Sequence, residues 1–213
     1  MISVDFDILT FGVCFLLYIP VFLFLKFKCK KNKYYMVISF IMFIYLCEVL
    51  NYTQFPVLLH FDQVYDLSKN INYIPIYGLS VDDMQTVLLN IVLTIPFGFF
   101  VTIMYKQTLH ITWVIGLILG IILEGLQFLV SNFLGTNFRV IDINDVIFNC
   151  TGVILGWCCY TILKMVYLKI MDVLHIEKNA FLDFCFDRKA CEDYVKMDSN
   201  LSVTDNRLQK HKK

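Results

Sequence analysis

Five stretches of this chain are long and apolar enough to be membrane helices: residues 8–25, 34–55, 84–105, 111–133 and 142–168. A hydrocarbon core of about 30 Å needs about 20 apolar residues in a helix. The chain is 58% hydrophobic and 17% charged, an apolar share above the ordinary soluble range. These runs predict an all-α fold: a polytopic membrane helix bundle of about five transmembrane helices, multi-pass in a cell membrane. The first run is expected to be a retained span. Asp5 and Asp7 stand where a signal peptide would carry lysines, and no small-residue cleavage site follows.

The runs divide the chain into three parts. Residues 1–55 hold two amino-terminal spans. Residues 56–168 hold an outer loop (56–83) and three further spans, joined by a short turn at Lys106 and a second loop at 134–141. Residues 169–213 form a polar tail. Its first half can make a surface helix with Val173, Leu174, Phe181, Leu182 and Phe184 as its apolar side. Its end reads as disordered.

Lysine and arginine placement predicts orientation. Five lysines follow the first span, Lys106 follows the third, and the tail is basic. With five spans these fall on one side, leaving only Lys69 and Arg139 opposite, so 16 of the 18 basic residues are together. The amino terminus and both loops are therefore expected outside, and the carboxyl terminus in the cytoplasm. Acidic and basic residues are equal in number, so net charge points to no nucleic-acid partner. The eight cysteines and four histidines show no metal-type spacing. Neither a metal site nor a cofactor is expected.

Polar residues inside the spans are expensive and usually have a purpose. Glu48 and Asn51 lie in the outer half of the second span, and Asn90 in that of the third. Glu124 and Gln127 sit just outward of the centre of the fourth. Asp142, Asp145 and Asn149 open the fifth, with Arg139 just before them. Gly116, Gly120, Glu124 and Gln127 share one helical face, as do Asp142, Asp145, Asn149, Gly152 and Gly156. The expectation is that the glycines pack these two helices together while the polar groups meet above them. A plainer reading is also open: Asp142 as a helix cap, Asn149 as an interhelical hydrogen bond, Arg139 as structural glue to Asp142. Pro96 and Gly98 predict a kinked or broken third helix.

At these residues the chain resembles the VanZ-like family, whose founding member is associated with teicoplanin resistance. The matching pieces are Asn72-Tyr-Ile-Pro75, then Asn90-Ile-Val-Leu-Thr-Ile-Pro96-Phe-Gly98, then Glu124-x-x-Gln127. Last comes Arg139-x-x-Asp142-x-x-Asp145-x-x-x-Asn149-x-x-Gly152-x-x-x-Gly156. The resemblance covers about residues 72–160. A glycine commonly precedes the family's arginine; here Gly135 is displaced from Arg139 by three residues. The resemblance implies a small integral membrane protein, linked in some members to reduced susceptibility to lipoglycopeptide antibiotics. It implies no settled chemistry.

Three functions are open. In the first, Glu124, Gln127, Arg139, Asp142, Asp145, Asn149 and Asn90 bind an envelope lipid or lipoglycopeptide at the outer leaflet. In the second, an intramembrane enzyme modifies an envelope lipid or glycan, with Glu124 as acid or base and Asp142 or Asp145 as its partner. No nucleophile motif supports it. In the third, the protein is a small transporter. The sparse inner-half polar lining and the lack of a visible inverted repeat speak against that.

Overall fold

A computed structural model describes residues 2–59, 71–76, 84–134, 141–174 and 179–186. It shows an all-helical bundle. The helices are α1 (Ile8–Leu23), α2 (Lys33–Gln54), α3 (Met84–Tyr105), α4 (Leu109–Leu134), α5 (Ile143–Leu174) and the short α6 (Ala180–Phe186). The five long helices each have the length and composition to cross a membrane. The strand segments are short: β1 (Ile2–Val4) pairs antiparallel with β2 (Val57–Leu59), and β3 (Ile71–Asn72) pairs parallel with β4 (Ile141–Asp142).

Local chemistry explains the helix ends. Asp7 accepts hydrogen bonds from the Leu9 and Thr10 backbones and caps α1. The Thr10 amide and hydroxyl hold its carboxyl below the usual aspartate range. Asn32 caps α2 by accepting from the Tyr35 backbone at 2.8 Å. The connection from α3 to α4 is only three residues long, and Lys106 makes the turn with a left-handed φ of 51°. Beyond α1 the chain continues as a π-helical turn, Phe24–Lys28, where the Lys26 ammonium lies over the Phe22 and Phe27 rings.

The helix at the centre is α5, packed between α3 and α4. Glycine makes both seams possible. A Cβ on Gly152 would overlap the Thr94 hydroxyl and the Ile91 carbonyl of α3, and one on Gly156 would overlap the Ile95 carbonyl. Gly98 of α3 returns the favour against the Val153 carbonyl. On the other side, a Cβ on Gly120 of α4 would stand 2.9 Å from the Val146 backbone of α5, and Gly116 faces Cys150. This corrects the expected pairing of stripes. The α4 glycines do meet α5, but the α5 glycines meet α3. A single helix has room for two small-residue seams on different faces, and spacing along one helix does not say which neighbour it serves.

By contrast α1 is almost wholly exposed toward the surroundings and holds to α2 through Tyr18, which stacks on Phe43 at 4.4 Å and shares a hydrogen bond with Ser39 at 3.1 Å. Three further expectations change. Helix α3 is not broken but runs unbroken through Pro96, with the Tyr45 hydroxyl donating to the nearby Leu93 carbonyl. Helix α5 runs on to Leu174, past the point where Lys169 suggested an end, because no glycine or proline interrupts it after Gly156. The expected surface helix of the tail is docked: Phe184 and Cys185 of α6 are buried against Tyr35, Ile38, Ile103 and Tyr160. The acids of the 56–83 loop, Asp62, Asp66, Asp82 and Asp83, and the tail beyond Phe186, lie outside the described residues.

Candidate functional site

The carboxyl ends of α2 and α4, the amino end of α5 and the β3–β4 ladder converge at one end of the bundle, which we call the polar end. Each contributes for a local reason. On α4, Glu124, Gln127 and Ser131 fall at spacings of three and four and share one face, continuing the stripe that starts at Gly116 and Gly120. All three are buried. On α2 the last turn brings Thr53 and Gln54 inward, also buried. Two bonds clamp these helices: the Gln127 amide donates to the Thr53 carbonyl at 3.4 Å, and the Gln54 amide donates to the Leu123 carbonyl at 3.4 Å.

Asp142 is the junction. Its backbone N–H donates to Glu124 Oε2 at 3.1 Å, which ties the α4 carboxylate to the start of α5. Its side chain accepts from the Asn144 backbone at 2.8 Å, the geometry of a helix cap. The same oxygen accepts from the Asn72 amide at 2.9 Å, which anchors the segment 71–76. Asn144 completes the anchor, its side-chain oxygen accepting from the Ile76 backbone at 2.6 Å. The plainer reading of Asp142 as a cap is thus present, and it coexists with the contact to Glu124.

Of the seven candidate residues, the structure brings Glu124, Gln127 and Asp142 into this network. Asp145 is half-buried in the first turn of α5. Asn149 is buried deeper, where its backbone carbonyl accepts from Thr94 at 2.8 Å, and the same hydroxyl reaches the Asn90 carbonyl at 2.9 Å. Asn90 and Asn149 therefore flank Thr94 at the α3–α5 seam. Arg139 lies outside the described residues. Glu48 and Asn51 do not join the cluster. Glu48 is exposed on another face of α2, and its carboxylate accepts from the Asn51 amide at 3.4 Å.

Several participants carried weak signals. Ser131 continues the α4 stripe by one turn, but a serine in an apolar run reads as neutral. Asn144 sits between two aspartates on what looks like the wrong phase; it matters because it turns toward segment 71–76. Gln54 looked like the end of a span. Spacing from a glycine stripe could have found Ser131; nothing local could have found the other two.

The polar atoms here are not all satisfied. Gln54 Oε1, Asn90 Nδ2, Ser131 Oγ, Asn144 Nδ2 and Asn149 Oδ1 are buried without a hydrogen-bond partner. A buried group left in that state costs about 1–3 kcal/mol. Among the described residues, no group of three or more His, Cys, Asp or Glu side chains is placed to hold a metal.

With this geometry in view, the family comparison is decisive. Residues 34–164, well over half of the chain, match the VanZ/LLP1 family. The chain belongs to that family. The match begins at the start of α2 and ends within α5, so it takes in the whole polar end of the bundle. No curated protein and no solved structure matches the chain. It is a VanZ-family, multi-pass membrane protein; its ligand has to be argued from the site.

Proposed function

We propose that the polar end of this VanZ-family protein faces the cell exterior and binds the head of an envelope lipid or amphiphilic glycopeptide, contributing to teicoplanin-type resistance. The observation that carries the reading is the burial of Glu124 with Gln54, Gln127 and Asn144 at one end of a bundle whose sides are apolar. Such a site offers hydrogen bonds to a head and apolar walls to a tail. That orientation is supported by Lys26, Lys28, Lys30, Lys31, Lys33 and Lys106, all at the opposite end. Arg139, close in sequence to the junction residue Asp142, is the cation nearest the site along the chain.

The test is susceptibility to a lipoglycopeptide in cells carrying the wild type, Arg139→Ala or Asp145→Asn at equal abundance. Protection is expected to vanish in both variants. Variants that still protect fully would overturn the reading. An enzymatic reading draws on the buried Glu124 beside Asp142, since burial and a partner suit a general acid or base. It requires that lipid extracts of wild type and Glu124→Gln cells differ by mass spectrometry.

A further inference from the structure

Helix α1 is the least buried of the five long helices, and one pair of side chains is placed to fasten it. We propose that Cys14 of α1 and Cys47 of α2 form a redox-sensitive disulfide, closed by thiol–disulfide exchange, that staples α1 to the rest of the bundle.

The register of the two segments carries this. Strand β1 pairs Ile2 with Leu59 and Val4 with Val57 of β2. Phe6 then meets Phe55 at 5.3 Å, and farther along Tyr18 stacks on Phe43. Each step forward along the first segment is matched by an equal step back along the second, as in an antiparallel hairpin. The same count sets Cys14 opposite Cys47, about one helical turn from Tyr18 and Phe43 respectively. The two thiols are in hydrogen-bonding contact. Both are free, Cys47 buried and Cys14 half-buried. Cys14 packs on the cluster of Tyr18, Phe43 and Cys47 that forms the α1–α2 seam.

A helix that buries so little of itself gains most from a covalent tie. The match to the VanZ/LLP1 family begins at residue 34, so α1 is an addition to the matched region. A disulfide brings its sulfurs to about 2.05 Å. From thiol contact that is a short movement, which a lightly packed helix can make. Both cysteines lie in the half of their helix nearer the polar end. In the orientation proposed above that half faces the exterior, where disulfides persist.

Unequal exposure assigns the roles. The half-buried Cys14 loses its proton and attacks one sulfur of an incoming disulfide, R–S–S–R. That S–S bond breaks, and the departing sulfur takes up the proton as R–SH. Cys47 then attacks the Cys14 sulfur of the mixed disulfide and expels the second R–SH, which carries away the Cys47 proton. Two protein thiols are oxidised and one disulfide is reduced to two thiols, so no other oxidant is needed.

The experiment uses the full chain in a mild detergent, reduced, freed of reductant and treated with dipyridyl disulfide, an apolar R–S–S–R. Peptides are then mapped by mass spectrometry without reduction. A linked Cys14–Cys47 peptide pair is expected in most molecules, and a phosphine reductant should return it to two free thiols. In Cys47→Ala, Cys14 is expected to stop at the pyridylthio adduct. In Cys14→Ala, Cys47 is expected to stay a free thiol. Linking should raise the thermal midpoint of the wild type by about 5 °C or more, and the same treatment should leave that of Cys47→Ala unmoved. A stable adduct on Cys14 beside a free Cys47 in the wild type would overturn the pairing. So would two unreacted thiols, or a link from either to another cysteine. A link that forms without moving the midpoint would overturn its role as a staple.

Discussion

The two ends of the bundle solve the same packing problem in opposite ways. At the lysine end, α6 closes the helices with rings. Phe184 is buried, Phe186 stacks on Tyr160 at 5.9 Å, and the Lys106 ammonium lies 5.1 Å from the Tyr160 ring while donating to its hydroxyl and to the Cys185 carbonyl. At the polar end the described residues show one ring pair, Phe6 against Phe55 at 5.3 Å, and no helix closing the bundle as α6 does. Amides and carboxyls occupy the same level of the fold, and Gln54, Ser131 and Asn144 there each keep a buried polar atom without a partner among the described residues. Dense aromatic packing stabilises and buried polar atoms left open destabilise; the lysine end has the first, with Gln107 Oε1 as an open atom of its own. The difference teaches where stability is concentrated and where it has been given up, and the second place is where a ligand is expected.

The largest effect should come from the seam that both ends share. Gly152→Leu drives a side chain into Thr94 and the Ile91 carbonyl, and is expected to cost about 3 kcal/mol or more. Monodisperse yield in detergent checks this. Gly125→Leu is the control, because no atom lies within 4 Å of a Cβ placed there. Equal yields would show that the α3–α5 seam is not what holds the ends in register.

Next comes the lysine end. Phe184→Ala should cost about 3 kcal/mol and release α6. Burial pushes the Cys185 thiol above its ordinary pKa, partly opposed by the charge of Lys106. In the wild type Cys185 is therefore expected to resist maleimide at pH 8, whereas the exposed Cys29 reacts. In Phe184→Ala, Cys185 is expected to react at a rate near that of Cys29, read by intact mass. A protected Cys185 in the variant would mean that α6 is held by something other than its aromatic plug.

The smallest effect is the most discriminating. Ser131→Ala at the polar end removes a buried hydroxyl without a partner, so thermal stability should change by less than about 0.5 kcal/mol or rise. A large loss would show that Ser131 is a structural residue and that the two ends differ less than their hydrogen bonds suggest.

Much of this fold was legible in the chain. Long apolar runs leave a backbone in hydrocarbon few choices, so the five helices and the membrane location follow from composition and length alone. The face bearing Glu124 and Gln127 follows from helical period, and the ordered polar and glycine positions were enough to point to the VanZ-like family. Other features were not legible because they depend on partners distant in sequence. The spacing of Gly152 and Gly156 says that something packs closely, but only the tertiary arrangement shows that it is α3 and not α4. Asn144 and Gln54 gain their meaning from Ile76 and Leu123, residues 68 and 69 positions away. The docking of Phe184 on Tyr35 and Tyr160 likewise turns a plausible surface helix into a plug. Local pattern determines which segments are helices and which of their faces are polar, because those are properties of one segment and its solvent. Which faces meet, and which polar atoms are left open when they do, is settled by packing between segments, and so the shape of the candidate site belongs to the tertiary structure.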